Sequence, residues 1–93
     1  MAKVFVVDNE YNADLKVYPV DNEYYADLSY CVVDSDYNAK GDTHWYYVNS
    51  DYNATVKIFW VNSDYNADLK VYKVDNEYNA KWHKSHKCVN RLG

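Results

Sequence analysis

At 93 residues the chain is long enough for one small domain, and two glycines and one proline are too few for a linker-rich or disordered polypeptide. Residues 1–80 contain all 14 acidic residues, whereas residues 81–93 contain four of the ten basic residues and no acidic one. The acidic body argues against nucleic acid and anionic membranes as the main partners.

The chain begins with one short apolar run. Four apolar residues, 4–7, precede Asp8, too few for the core of a signal peptide or for a membrane span. We therefore expect a cytoplasmic protein, in which Cys31 and Cys88 stay reduced and do not need to pair.

One short phrase, V-[DN]-[NS]-[DE]-Y-[NY]-A, recurs six times along the chain. Its copies begin at Val7, Val20, Val33, Val48, Val61 and Val74. The step is 13 residues, except for a step of 15 between the third and fourth copies. A fixed short period is typical of tandem repeats in which each unit is one supersecondary element. The pattern predicts a single repeat domain over residues 1–93, with a divergent basic end at 81–93.

The segments between the polar triplets are rich in β-branched and aromatic residues, which favours strands. Triplets such as Asp21-Asn22-Glu23 have the composition of turns. The apolar residues show no 3.6-residue period, which argues against helices. The sequence therefore predicts an all-β protein with strands near 3–7, 15–20, 28–33, 43–48, 56–61, 69–74 and 82–89.

The spacing of large residues within a repeat predicts which side chains are buried. Tyr11, Leu15 and Val17 share one parity, whereas Tyr18 and Val20 have the other. Because side chains alternate between faces along a strand, both sets can be buried only if the alternation slips once in each repeat. We expect this slip as a corner or bulge between positions 17 and 18, and we expect the Tyr11-type column to lie in the core.

Two architectures satisfy this map. In a β-solenoid, each 13-residue repeat forms one coil that stacks on the repeat before it. In an antiparallel β-meander, each repeat is a strand and a turn, and the sheet must curl or dimerise to cover its second apolar side. We favour the solenoid and keep the meander as the alternative.

The extended phrase V-[DN]-[NS]-[DE]-Y-N-A-D-L-K-V-Y resembles the repeat of a family of small, tyrosine-rich tandem-repeat proteins found mostly in bacteria. The likeness covers nearly the whole chain, including the irregular step at 41–48 and the basic ending that starts at Trp82. The resemblance implies a repeat architecture and supplies no active site.

Oxygen ligands in the third repeat suggest one weak metal site. Asp34, Asp36 and Asn38 alternate along the chain as ligands do in calcium loops. However, the sixth position of an EF-type loop requires glycine, and here it is Ala39. The simpler interpretation is a solvated turn.

Near the C-terminus, His83, His86 and Cys88 form a second weak candidate, with Cys31 or His44 as a fourth ligand. Their spacing matches no established zinc module. The simpler interpretation is a basic terminal strand with exposed histidines.

Catalysis finds little support, because the repeats present the same polar atoms at regular intervals and not one unique converging set. We expect a non-catalytic structural or interaction scaffold with no cofactor, which forms a homo-oligomer or binds a protein partner. One alternative is a calcium- or zinc-binding protein. The other is a peptide- or glycan-binding module that uses a face of tyrosines and of lysines such as Lys57 and Lys70.

Overall fold

Each repeat contributes one short strand and one polar turn. The computed structural model describes residues 2–39, 41–84, 86 and 92. Its strands are β1 Ala2–Val6, β2 Leu15–Pro19, β3 Leu28–Val32, β4 His44–Tyr47, β5 Val56–Trp60, β6 Leu69–Val74 and β7 Lys81–Trp82. Six 3-10 turns separate them, at Glu10–Asn12, Glu23–Tyr25, Asp36–Asn38, Asp51–Asn53, Asp64–Asn66 and Glu77–Asn79. The prediction of an all-β tandem-repeat protein is confirmed. Within the described ranges, no helix is long and apolar enough to cross a membrane.

Six of the strands form a closed parallel barrel. The order is β4-β1-β5-β2-β6-β3, and a further pairing of β3 with β4 closes the ring. Strand β7 is antiparallel to β3 and pairs with Leu28 and Ser29, whereas β4 pairs with Cys31 and Val32. The antiparallel meander is therefore wrong. The parallel pairing agrees with the solenoid. However, the strands of most consecutive repeats are not neighbours in the sheet, and its two edge strands, β4 and β3, pair with each other.

The chain winds around the barrel twice. Strands β1, β2 and β3 form the first winding, and β4, β5 and β6 form the second, which fills the spaces left by the first. Every step between consecutive strands of one winding therefore skips one position. The register shows how steeply the strands are offset: Val6 at the end of β1 and Leu15 at the start of β2 both lie level with Ile58 of β5.

The irregular 15-residue step makes this interleaving possible. The barrel has six strand positions. If each of the three connections after β1 skipped one position, the fourth strand would fall on the position that β1 already occupies. The longer connection instead joins neighbours, since Cys31 of β3 pairs with His44 of β4. It contains Gly41, which has a φ of 62°, in the left-handed region that glycine adopts without strain.

The segments between strands, which we call connectors, cross over the strand that they skip. In the connector 7–14, the amides of Val7 and Asp14 donate to the carbonyls of Ile58 and Lys57, 2.9 and 2.8 Å away. Both ends of this connector are thus bonded to β5. Its middle is exposed, so it passes over the outside of the barrel. Connectors 20–27, 48–55 and 61–68 cross β6, β1 and β2 in the same way.

A polar side chain just before the following strand clamps the crossing in four connectors. The Asp14 carboxylate accepts a hydrogen bond from the Lys57 amide at 2.9 Å, in the strand that its own connector crosses. Equivalent bonds join Asp27 to the Lys70 amide, Asp68 to the Lys16 amide and the Thr55 hydroxyl to the Lys3 amide. These side chains satisfy backbone donors at the barrel surface and so tie each winding to the other.

Regular alternation along the strands fills the barrel. The fully buried side chains include Val4, Val17, Leu28, Ile58, Leu69 and Val71. Val17 and Tyr18 are consecutive residues of one unbroken ladder with β6, so the predicted bulge between them is wrong. The change of parity occurs in the connector, because the 3-10 turn there interrupts the extended backbone.

Aromatic residues and the C-terminal segment complete the core. Tyr30 stacks on Trp45 with ring centroids 4.0 Å apart. Leu92, from the basic end, is fully buried in the same cluster. Its amide donates to a carboxylate oxygen of Asp42 at 3.1 Å, and its carbonyl accepts from the Thr55 hydroxyl at 2.6 Å. Leu92 therefore belongs to the folded core.

The phenols of Tyr30, which is buried, and Tyr47, which is 37% exposed, predict a loss of stability at alkaline pH. Burial raises the pKa of Tyr30, and burial together with Tyr30 raises the pKa of Tyr47. The unfolded phenols ionise near pH 10 while the folded ones stay protonated, so the unfolded state loses protons first. The free energy of unfolding should be constant near neutral pH and fall as the pH rises past 10.

Urea unfolding at a series of pH values between neutral and strongly alkaline tests this expectation. Replacing both residues, Tyr30→Phe with Tyr47→Phe, should flatten the alkaline decline relative to the parent protein. A decline of equal steepness in the double variant would show that other groups cause it.

Candidate functional site

Six tyrosines project from the outside of the barrel, one from each repeat. They are Tyr11, Tyr24, Tyr37, Tyr52, Tyr65 and Tyr78, with exposed fractions between 76 and 94%. Each occupies the middle of a 3-10 turn. The prediction that this column lies in the core is therefore wrong. A large aromatic side chain that is exposed at every repeat contributes little to the core and is available for contact with another molecule.

The polar triplet before each tyrosine holds the turn. In three repeats an asparagine side chain accepts from the tyrosine amide: Asn9 from Tyr11 at 2.9 Å, Asn22 from Tyr24 at 3.0 Å, and Asn76 from Tyr78. The following alanine amide donates back to the first residue of the turn. With the backbone fixed in this way, the tyrosine side chain points to solvent.

Acidic side chains accompany the tyrosines. All of the acidic residues lie in the connectors, and the connectors contain no basic residue in the ranges 8–14, 21–27, 49–55, 62–68 and 75–80. The residue directly before each tyrosine is acidic and exposed: Glu10, Glu23, Asp36, Asp51, Asp64 and Glu77. We call this array of tyrosines and preceding acids the tyrosine–acid surface.

Open grooves lie between the connectors and the strands. One of them has a volume of about 560 Å³ and lies beside the second connector. Tyr18, Tyr24 and Tyr25 contribute aromatic rings to it. Its charged lining consists of Asp21, Asp64, Lys70 and Lys84.

Related grooves occur at other repeats. One of about 500 Å³ is lined by Phe5, Asn12 and Lys57, which are equivalent to Tyr18, Tyr25 and Lys70. Two further grooves, of about 340 and 390 Å³, use the strand tyrosines Tyr46 and Tyr72. The predicted face of tyrosines and lysines is therefore a set of grooves in which Lys57 and Lys70 are half-buried.

The calcium candidate lies in the third connector. Asp34 and Asp36 are exposed, and the Asp36 carboxylate is 3.9 Å from the Lys3 ammonium. The Asn38 side-chain amide donates to the Ser35 hydroxyl at 3.4 Å. Asp36 and Asn38 thus form separate local contacts.

The zinc candidates lie against β3. His83 is hydrogen-bonded through Nε2 to the Ser29 hydroxyl at 2.6 Å. His86 Nε2 is 3.5 Å from the Asp27 carboxylate, and its ring stacks on Trp82 at 5.8 Å. Cys88 lies outside the described residues. Over the part of the chain that the structure describes, no three His, Cys, Asp or Glu side chains are grouped as metal ligands.

The buried thiol is poorly suited to nucleophilic chemistry. Burial raises the pKa of Cys31, and the nearby carboxylates of Glu77 and Asp75 raise it further. The thiolate, which is the reactive form, is therefore a small fraction at neutral pH.

Two residues important to the surface and the core were missed by the sequence analysis. Tyr25 enlarges the aromatic wall of one groove, and Asp42 anchors Trp82 and Leu92. Both depart from the repeat pattern, since five repeats have asparagine where Tyr25 stands and Asp42 lies in the irregular step at 41–48. Departures from the repeat were the signal that could have found them.

The double winding and the exterior display of tyrosines define a tandem-repeat β-barrel in which each winding passes beneath the connectors of the other. This threading is the arrangement expected of a knotted chain, which is rare among proteins. The family model described as the 7(1) septoil knot domain matches residues 1–83, and the chain belongs to that family. No curated protein and no solved structure matches the chain.

Proposed function

We propose that the protein is a non-catalytic interaction scaffold that binds a positively charged protein segment on its tyrosine–acid surface. The observation that carries this proposal is the pairing of an exposed tyrosine with a preceding exposed carboxylate in all six repeats. Neither side chain of the pair is buried, so their recurrence is better explained by recognition than by packing.

The chemistry of this pair suits arginine. A guanidinium can stack on a tyrosine ring while a neighbouring carboxylate accepts its hydrogen bonds. One exposed cation–π contact contributes about 0.5–1 kcal/mol, so that a single pair binds weakly. Several pairs on one rigid barrel can engage successive side chains of one partner, and the affinity then rises through the higher effective concentration.

The anchoring of the connectors favours this use. Each of the connectors 7–14, 20–27, 48–55 and 61–68 is bonded at both ends to the strand beneath it. Binding therefore requires little additional ordering of the backbone, which reduces the entropic cost of association.

The basic end of the chain is less suited to be the partner of a second copy. The Lys84 ammonium is 3.6 Å from the Asp27 carboxylate of its own chain, and Leu92 is buried in its own barrel. Head-to-tail association through this end would break these contacts. We therefore assign the tyrosine–acid surface to a different protein with a basic segment.

A labelled dodeca-arginine peptide tests the proposal by fluorescence anisotropy. The parent protein should bind it, and the affinity should fall as salt rises from about 0.05 to about 0.3 M because ion pairs are screened. The variant Tyr11→Ser, Tyr37→Ser, Tyr52→Ser, Tyr65→Ser keeps the net charge but should bind at least about tenfold more weakly.

The matched control replaces the same four residues with phenylalanine, which keeps the rings and should retain affinity within about threefold. Thermal melts should show equal stability of the three proteins. Absence of peptide binding by the parent, or equal affinity of the serine variant, would contradict the proposed function.

A further inference from the structure

The structure points to a second site with different chemistry: we propose that the groove beside the second connector, between connector 20–27 and strand β6, binds a neutral oligosaccharide. The groove shares Tyr24 and Asp64 with the tyrosine–acid surface, but its distinguishing residue, Tyr25, does not belong to that surface. The inference rests on the one groove in which the repeat pattern is broken by an additional aromatic ring.

The break lies in the residue after the repeat tyrosine. Five repeats have asparagine at this position, and the second repeat has Tyr25. Tyr25 lines the groove together with Tyr18 and Tyr24, and its side chain is largely exposed. Pro19, the one proline of the chain, adds a further apolar surface with no side-chain polar group. Three phenol rings and a proline provide flat apolar walls that the groove with Asn12 lacks.

The charges of the groove differ from those of the rest of the surface. Two carboxylates, Asp21 and Asp64, are balanced by two ammonium groups, Lys70 and Lys84. The body of the protein is strongly acidic, whereas the charges that line this groove balance. The two lysines make it unfavourable for a basic peptide, and the two aspartates make it unfavourable for a polyanion.

A sugar chain combines the features that such a groove recognises. The C–H groups on one side of a pyranose ring pack on aromatic side chains, and its hydroxyls donate to carboxylates and accept from ammonium groups. The volume of about 560 Å³ is in the range of small-molecule sites, and the groove is open to solvent, so a chain can continue beyond it.

Lys84 connects the site to the C-terminal segment. Its ammonium group is 3.6 Å from the Asp27 carboxylate, which in turn accepts from the Lys70 amide at 3.0 Å. Asp27 thereby fixes both the strand and the C-terminal segment at the edge of the groove. The groove thus combines groups from connectors 20–27 and 61–68, from β2 and β6, and from Lys84.

Titration with cellohexaose, maltohexaose, laminarihexaose and chitohexaose, each up to about 10 mM, tests the inference by calorimetry and by amide chemical shifts. We expect at least one of them to bind and to shift the amides of residues 24–26 and 84. The variant Tyr25→Asn restores the residue of the other repeats and should weaken that binding at least about tenfold.

Tyr52→Asn is the matched control, because it also replaces one exposed tyrosine but in a repeat away from this groove. It should leave the saccharide affinity unchanged. No binding of any of the four sugars, or equal binding by the Tyr25→Asn variant, would overturn the inference. Neither result would affect the proposed binding of a basic partner, which does not depend on Tyr25.

Discussion

Replacing Asp42 with alanine should lower the free energy of unfolding by about 3 kcal/mol, because three parts of the chain meet at this residue. One carboxylate oxygen accepts from the Trp82 indole at 3.1 Å, and the other accepts from the Leu92 amide at 3.1 Å. Asp42 is only 7% exposed, so water has little access to replace its carboxylate as the hydrogen-bond acceptor. Its loss leaves buried donors without an acceptor and releases Leu92 from the core.

Urea denaturation of the parent, Asp42→Ala and Asp42→Asn measures the effect. The asparagine variant keeps one oxygen acceptor and should lie between the other two. Asp36→Ala removes an exposed carboxylate whose contact with Lys3 is 3.9 Å long, and it should change stability by less than about 0.5 kcal/mol. If Asp42→Ala were as stable as Asp36→Ala, the C-terminal segment would not be anchored in the way described.

Ile58→Ala should destabilise the barrel by about 3 kcal/mol, because it creates a cavity where the two windings meet. Ile58 is fully buried in β5, level with Val6 of β1 and Leu15 of β2. The side chains around it come from strands tied by connectors that cross each other, so they cannot readily move inward to fill the space.

Phe59→Ala is the informative comparison. Phe59 is the larger side chain and follows Ile58 directly, but it lies on the outer face and is only half-buried. It should cost less than half as much as Ile58→Ala, as measured by the same denaturation experiment. A greater loss from Phe59→Ala would favour the bulge that the sequence analysis predicted between these positions.

The type of each secondary-structure element could be predicted from the local sequence. Valine, isoleucine and tyrosine between polar triplets predicted strands, and the fixed period predicted repeated units. The inward parity of Leu15 and Val17 was also correct, because alternation along one strand is a local property. The strands of the repeats and the turns therefore needed no knowledge of the neighbours, whereas the last strand, predicted at 82–89, is observed at Lys81–Trp82.

The candidate sites were less accessible to sequence reasoning. The Tyr11-type column was expected in the core because a large aromatic residue usually stabilises a β-protein by burial. It is exposed because the 3-10 turn carries it across the outside of another strand. The lysines were correctly placed at the surface, but the grooves that surround Lys57 and Lys70 combine several segments of the chain.

The sequence by itself determined the class of the protein, its repeat length, its strands and the acidic character of its connectors, since these depend on neighbouring residues. Only the tertiary structure decided which strands pair. Backbone hydrogen-bonding groups are the same in every repeat. The residues of one strand therefore do not determine whether it pairs with the strand of the preceding repeat or with a strand of the other winding. Closure of the barrel makes that choice, because it leaves no barrel strand with an unpaired edge. The longer connection between β3 and β4 then supplies the single step to a neighbour that a ring of six requires.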